Sequence, residues 1–198
     1  SYWNDGNSLS PTLDVDSQGG VHVAWYDTTD GIWGTDTEIM YAKYTPNNGW
    51  SNVSIVSDGF NGAYWNDDYS QDPSLAVDGQ GRAHIAWVDY TEGPWGGGRR
   101  DVEIMYAELT PGSGWSNVTI ITGGAAYSGD RSSDNPTITA DEQGSVYLAW
   151  SESPGGLYGY DDEILFSKFI PGNGWSNASI ISDGYGGNYW NDGQSDRP

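Results

Sequence analysis

The chain has 198 residues, enough for one domain with its own core, and carries 7 Lys+Arg against 28 Asp+Glu, a formal net charge of -21. Such acidity disfavours nucleic acid and anionic membranes as partners, and no apolar run approaches the ~20 residues of a membrane-spanning helix. Only 18% of residues are charged while 14% are aromatic, which separates the chain from disordered acidic tails; there is no Cys, so no disulfide framework exists.

In chain order the first 62-residue unit predicts four strands. The first covers about 11–16 and ends in the turn DSQGG. The second is VHVAWYD, about 21–27, and a long loop follows. The third, EIMYAKYT at about 38–45, runs into the turn PNNG, and the fourth is WSNVSIVS at about 50–57. These segments are rich in Val, Ile, Tyr, Trp and Thr, and none has a helical period. The pattern then recurs. Pro11 opens PTLDVDSQGGVHVAWYD, Pro73 opens PSLAVDGQGRAHIAWVD and Pro136 opens PTITADEQGSVYLAWSE, with spacings of 62, 63 and, on to Pro198, 62 residues. The segments read as blade 1 (11–72), blade 2 (73–135) and blade 3 (136–197), and 1–10 and 189–198 read as equivalent inter-blade linkers. A fourth repeat is expected directly after Pro198.

A β-sandwich does not predict a fixed period of this length. The pattern predicts an all-β β-propeller of three four-stranded antiparallel blades, each about 62 residues, as part of a six- to eight-bladed ring. Closure then needs further blades of the same protein or a second copy, because open ends would expose apolar faces. Trp25, Trp87 and Trp150 on the second strands are expected between blades, and Trp50, Trp115 and Trp175 along the blade edge.

The grammar Pro, Asp-x-Gln-Gly, Ala-Trp, Glu-Ile, Gly-Trp resembles the BNR-type, sialidase-superfamily propeller repeats of exported archaeal and bacterial surface proteins. The resemblance implies the propeller and an extracellular or cell-surface location. The Ser-x-Asp-x-Gly-x-x-Trp box is absent, and a sialidase-like centre would need three converging arginines. The five here, Arg82, Arg99, Arg100, Arg131 and Arg197, occupy no matched repeat positions. His22 and His84 are repeat-equivalent and become Tyr147 in blade 3, which fits packing rather than ligation. The expectation from sequence is therefore a non-catalytic structural or assembly component of a surface layer, sheath or fibre, not an enzyme. The alternative is a lectin-like carbohydrate- or protein-binding module, with a sialidase-like glycosidase ranked below both.

Candidate sites follow the repeats. Each second strand ends in an acid and each third opens with Asp-x-Glu, giving Asp27, Asp36, Glu38, Asp89, Asp101, Glu103, Glu152, Asp161 and Glu163 as oxygen ligands for Ca²⁺. The competing reading is that these acids cap turns. Loop aromatics Trp33, Trp65, Trp95, Tyr127, Tyr158 and Trp190, with Arg99, Arg100 and Arg131, are candidates for a glycan or surface-protein ligand. Asn52, Asn117 and Asn177 each open an Asn-x-Ser/Thr sequon at the predicted outer rim, where an attached glycan would not disturb packing.

Overall fold

A computed structural model describes residues 6–31, 34–57, 68–91, 102–122, 132–153, 162–182 and 198. Within them there is no helix, and three antiparallel sheets repeat one plan. The first holds β1 (Ser8–Val15), β2 (Val21–Asp27), β3 (Glu38–Thr45), β4 (Gly49–Trp50) and β5 (Ser54–Ile55). The second holds β6 (Ser70–Val77), β7 (Ala83–Asp89), β8 (Glu103–Thr110), β9 (Gly114–Trp115) and β10 (Thr119–Ile120). The third holds β11 (Ser133–Ala140), β12 (Val146–Glu152), β13 (Glu163–Ile170), β14 (Gly174–Trp175) and β15 (Ser179–Ile180).

Each sheet is four-stranded, but the outer strand comes in two short pieces. Predicted as one continuous strand over 50–57, it breaks at 51–53, because Ser51 turns its hydroxyl onto the adjacent β3 backbone: its Oγ accepts from Lys43 N at 3.0 Å and donates to the Asn52 carbonyl at 2.8 Å. Ser116 and Ser176 repeat the arrangement. The innermost strand also differs from expectation. It starts three residues before the proline, and the register shifts around Pro11, Pro73 and Pro136, where a ring nitrogen without N–H cannot join the ladder.

The core lies between sheets, as in the blades of a propeller. Blade 2 contributes Leu75, Ile85, Trp87 and Met105 against Ala24, Ile39, Tyr41 and Val56 of blade 1. Blade 3 repeats this with Ile138, Leu148, Trp150 and Leu165 against Ala86, Ile104 and Tyr106. A blade covered on both faces has a middle strand buried at every position, which holds for β7, where Ala83, Ile85 and Trp87 face one side and Ala86 and Val88 the other. Trp87 and Trp150 are fully buried between blades as expected, whereas Trp25, on the uncovered face of blade 1, is only half-buried.

The Gly-Trp tryptophans correct an expectation. Trp115 does not lie along its own blade edge but reaches across to blade 1, meeting the Tyr41 ring edge-on at 5.1 Å and donating from Nε1 to Ser54 Oγ at 3.2 Å. Trp175 meets Tyr106 in the same way at 5.0 Å. Each of these Trp residues ends a two-residue strand, where the ladder breaks off and leaves the ring room to enter the gap between sheets.

Candidate functional site

The inner strands β1, β6 and β11 pack side by side around an axis, with a cavity at each end. One, of about 450 Å³, is lined by the β1–β2, β6–β7 and β11–β12 turns. Its aspartates recur in every repeat and are already engaged. Asp16 Oδ1 accepts from Gln18 N and Gly20 N at 3.0 and 2.7 Å, Asp78 from Gln80 N and Arg82 N, and Asp141 from Gln143 N and Ser145 N. That end is turn architecture.

Behind those turns runs a buried relay. Tyr41 O–H faces His22 Nδ1 at 2.7 Å and His22 Nε2 faces Asp16 at 3.3 Å, while Lys43 closes on Asp16 at 2.7 Å. Blade 2 repeats it with Tyr106, His84, Asp78 and Arg82. Blade 3 exchanges two members together: Tyr147 donates directly to Asp141 at 3.0 Å, and Phe166 stands where Tyr41 and Tyr106 stand. Burial pushes both imidazoles below their ordinary range, against the pull of the Asp hydrogen bonds, and raises both tyrosines. The neutral tautomer that fits accepts from Tyr O–H at Nδ1 and donates from Nε2 to the aspartate.

The opposite cavity, about 430 Å³, opens at the end where β1, β6 and β11 begin, on the side of the long loops. Ser10, Asp72 and Asn135 line it, each with the following proline. All three have left-handed backbone, with φ of 48°, 48° and 53°, a conformation that costs a non-glycine residue about 1–2 kcal/mol. Ser10 Oγ donates to Asp72 Oδ1 at 3.2 Å, linking two blades. The backbone is repeated but the chemistry is not. One column reads Ser10, Asp72, Asn135 and, in the sequence, Arg197, while the proline beside it never changes.

Asymmetry concentrates on blade 2. Tyr69 is 51% exposed and meets Tyr90 edge-on at 6.5 Å, where blade 1 has Asn7 and Thr28 and blade 3 has Ser132 and Ser153. Burial, then the negative charges of Asp134, Asp72 and Asp68, raise the Tyr90 hydroxyl above its usual range, so three carboxylates act on one ring. None of Ser10, Tyr69, Asp72, Tyr90 and Asn135 was singled out from sequence. The available signal was the varying residue before an invariant proline.

Of the candidate calcium ligands, Asp27, Glu38, Asp89, Glu103, Glu152 and Glu163 lie at this end and are engaged by neighbours in their own sheets. Asp27 and Glu38 are cross-strand partners, as are Asp89 with Glu103 and Glu152 with Glu163, all buried. Asp27 accepts from Ser8 Oγ at 2.6 Å, Trp25 Nε1 at 3.1 Å and Thr29 N at 3.0 Å. Asp89 accepts from Ser70 Oγ, Trp87 Nε1 and Thr91 N, each at 2.9 Å, and Glu152 from Trp150 Nε1 at 2.9 Å. Glu38, Glu103 and Glu163 hold short hydrogen bonds to Ser57, Thr122 and Ser182. Burial raises Asp89 in spite of its donors; at Asp27 the donors from Ser8, Thr29 and Trp25 outweigh burial and lower it. Asp36 stands apart at the β3 entrance, its Oδ1 2.5 Å from where a Cβ on Gly34 would fall. Among the described residues no three His, Cys, Asp or Glu side chains converge on a metal position. Asp101, Asp161, Trp33, Trp65, Trp95, Tyr127, Tyr158, Trp190, Arg99, Arg100 and Arg131 lie outside the described residues. Asn52, Asn117 and Asn177 are exposed in the breaks of the outer strands.

No family model matches the chain and no curated protein matches its sequence. Its fold does match solved structures. A leech intramolecular trans-sialidase aligns with a TM-score of 0.61 at 12% identity over 93% of this chain and 45% of its own. The intramolecular trans-sialidase from Ruminococcus gnavus gives 0.60 at 10% identity over 91% and 62%. A Hadza microbial sialidase gives 0.55 at 16% identity over 87% and 37%, so the chain spans less than two thirds of each of these proteins. Other matches are glycoside hydrolases and a polysaccharide lyase. The expectation of a non-catalytic structural or assembly component, and of no enzyme activity, is corrected by this company: the fold is one shared with carbohydrate-processing enzymes. The sialidase-like likeness is one of fold, at low identity.

Proposed function

We propose that this chain is part of a carbohydrate-processing β-propeller, with the glycan held at the axial cavity lined by Ser10, Asp72 and Asn135. The observation that carries the reading is a strained, left-handed backbone repeated three times beneath three different polar side chains. Packing alone would favour glycine there and would not vary the side chain. Tyr69 offers an exposed ring face for the C–H surface of a sugar, and the Ser10, Asp72 and Asn135 side chains offer hydroxyl-binding partners.

Glycoside hydrolysis needs two carboxylates flanking the scissile bond, one to hand over a proton and one to activate water or attack the sugar. Asp72, at the mouth itself, is the group assigned to proton transfer. Asp134, on the adjoining inner strand, is the candidate second carboxylate. With Asp68, Asp72 and Asp134 all acting on Tyr90, the described mouth is negative, which favours a neutral glycan over a sialoside. Extracellular location and glycosylation of the three sequons belong to the same reading, supported by the exposure of Asn52, Asn117 and Asn177. No calcium-dependent step is included.

A panel of chromogenic arabinosides, xylosides, galactosides, glucosides and sialosides tests the proposal. Turnover is expected on a neutral glycoside. Asp72→Asn should lower kcat by on the order of 10²-fold or more with an unchanged melting temperature, and Tyr69→Ala should act mainly on KM. Undiminished turnover in Asp72→Asn would refute the assignment, and preference for sialosides would refute the substrate class.

A further inference from the structure

Blade 2 carries an aromatic pair that neither neighbour has, and both of its faces are covered within the chain, so this surface is set by neighbours already in place. Tyr69 stands half-exposed just ahead of β6, its ring edge-on to Tyr90 at 6.5 Å with an interplanar angle of 86°. Two hydrogen bonds hold the pair: Tyr69 N donates to Asp68 Oδ1 at 2.9 Å, and Tyr90 N donates to the Tyr69 carbonyl at 3.0 Å. Tyr90 in turn packs against the core between blades 2 and 3. A ring fixed in this way offers its outer face to a sugar C–H surface at little ordering cost. At the same two places blade 1 has Asn7 and Thr28, joined by a bond from Asn7 N to Thr28 Oγ1 at 2.8 Å, and blade 3 has Ser132 and Ser153.

Tyr69 lies beside the axial cavity and not in it: among the described residues the cavity is lined by Ser10, Asp72, Asn135, Thr137 and prolines. Three residues of chain, up to about 10 Å when extended, separate Tyr69 from Asp72. A sugar that brings its glycosidic bond to Asp72 therefore fills the cavity and leaves Tyr69 to the next ring along. We propose that Tyr69, backed by Tyr90, is an outer subsite, and that the substrate is a neutral oligosaccharide or polysaccharide chain that leaves the cavity across blade 2; this rests on Asp72 acting at the axial cavity. Blades 1 and 3 present no ring at these positions, so among the described blades the chain has one direction of exit.

Affinity electrophoresis in gels containing arabinan, xylan, galactan or a mixed-linkage glucan tests binding apart from catalysis. Unlabelled oligosaccharides of the same sugars, from disaccharide to hexasaccharide, test turnover; in chromogenic glycosides the aromatic aglycone would itself occupy the outer position. At least one polymer should retard the protein. Tyr69→Ala, a change on an exposed side chain whose folding circular dichroism checks, should remove most of the retardation, and Tyr69→Phe, which keeps the ring, should restore it. In turnover, kcat/KM should rise by about 2- to 10-fold once the substrate is long enough to reach Tyr69, and Tyr69→Ala should flatten that rise. Absence of retardation by every polymer would overturn the proposal, as would retardation and length dependence that Tyr69→Ala leaves untouched. The two readings fail separately. Retardation that needs Tyr69 without any turnover defeats the catalytic assignment and keeps the subsite; turnover that needs Asp72 but is equal for disaccharide and hexasaccharide defeats the subsite alone.

Discussion

The three second-strand tryptophans make one bond in different surroundings, which allows the contribution of a neighbouring blade to be measured. Trp87 Nε1 donates to Asp89 and Trp150 Nε1 to Glu152, both at 2.9 Å with the indole buried; Trp25 Nε1 donates to Asp27 at 3.1 Å with the indole half-buried. Substitution by Phe keeps most of the ring and removes the N–H. In the buried blades this deletes a hydrogen bond to a charged acceptor that water cannot replace, at a cost of about 1.5–3 kcal/mol, with a further contribution from the smaller ring. At Trp25, water reaches the site and the cost should be about 0.5–1 kcal/mol. For a domain of this size each kcal/mol lowers Tm by about 2–4 °C, so Trp87→Phe and Trp150→Phe should each lose roughly 3–12 °C and Trp25→Phe roughly 1–4 °C. Urea unfolding followed by circular dichroism gives the free energies. Equal losses at all three positions would refute the view that the adjoining blade, rather than the bond itself, sets the value.

The His relays should make stability depend on pH. His22 and His84 are held below their ordinary range, so they contribute stability that is full above the unfolded value near 6.5 and declines as pH falls below it; Asp16 and Asp78, also lowered, add a second loss as pH falls below about 3.9. Replacing His84 by Tyr together with Tyr106 by Phe, the combination blade 3 uses, should flatten the urea midpoint between pH 7 and 5, and an unchanged slope would count against the relay. Gly79→Ala places a Cβ 2.6 Å from the Glu142 carbonyl of the next blade and should cost about 2 kcal/mol or more, whereas Gly49→Ala, with open space around it and φ of 75°, should cost about 1 kcal/mol; comparable losses in thermal melts would refute the close-approach argument. Secretion from a host that N-glycosylates should add glycan at Asn52, Asn117 and Asn177, read by intact mass before and after enzymatic deglycosylation, and loss of each addition in the corresponding Asn→Gln variant assigns it.

The sequence by itself determined the repeat, the sheet and the strand order, because a 62-residue period, strand-type residues and Gly-Pro punctuation are local quantities that survive without coordinates. It also carried the rim position of the sequons, since Asn-x-Ser/Thr directly follows the Gly-Trp turn in every repeat. Which side of the sheet the Gly-Trp indoles enter was decided by tertiary structure, because a two-residue strand has no alternation to read. The acids that look like a ligand set along the chain are divided by the fold between separate donors, Trp25, Trp87 and Trp150 among them. The axial site was the least legible. Ser10, Asp72 and Asn135 lie about 62 residues apart, and nothing local to any of them announces a left-handed backbone before proline. Packing of three inner strands around one axis brings them together, and their differing side chains become meaningful once they share a cavity.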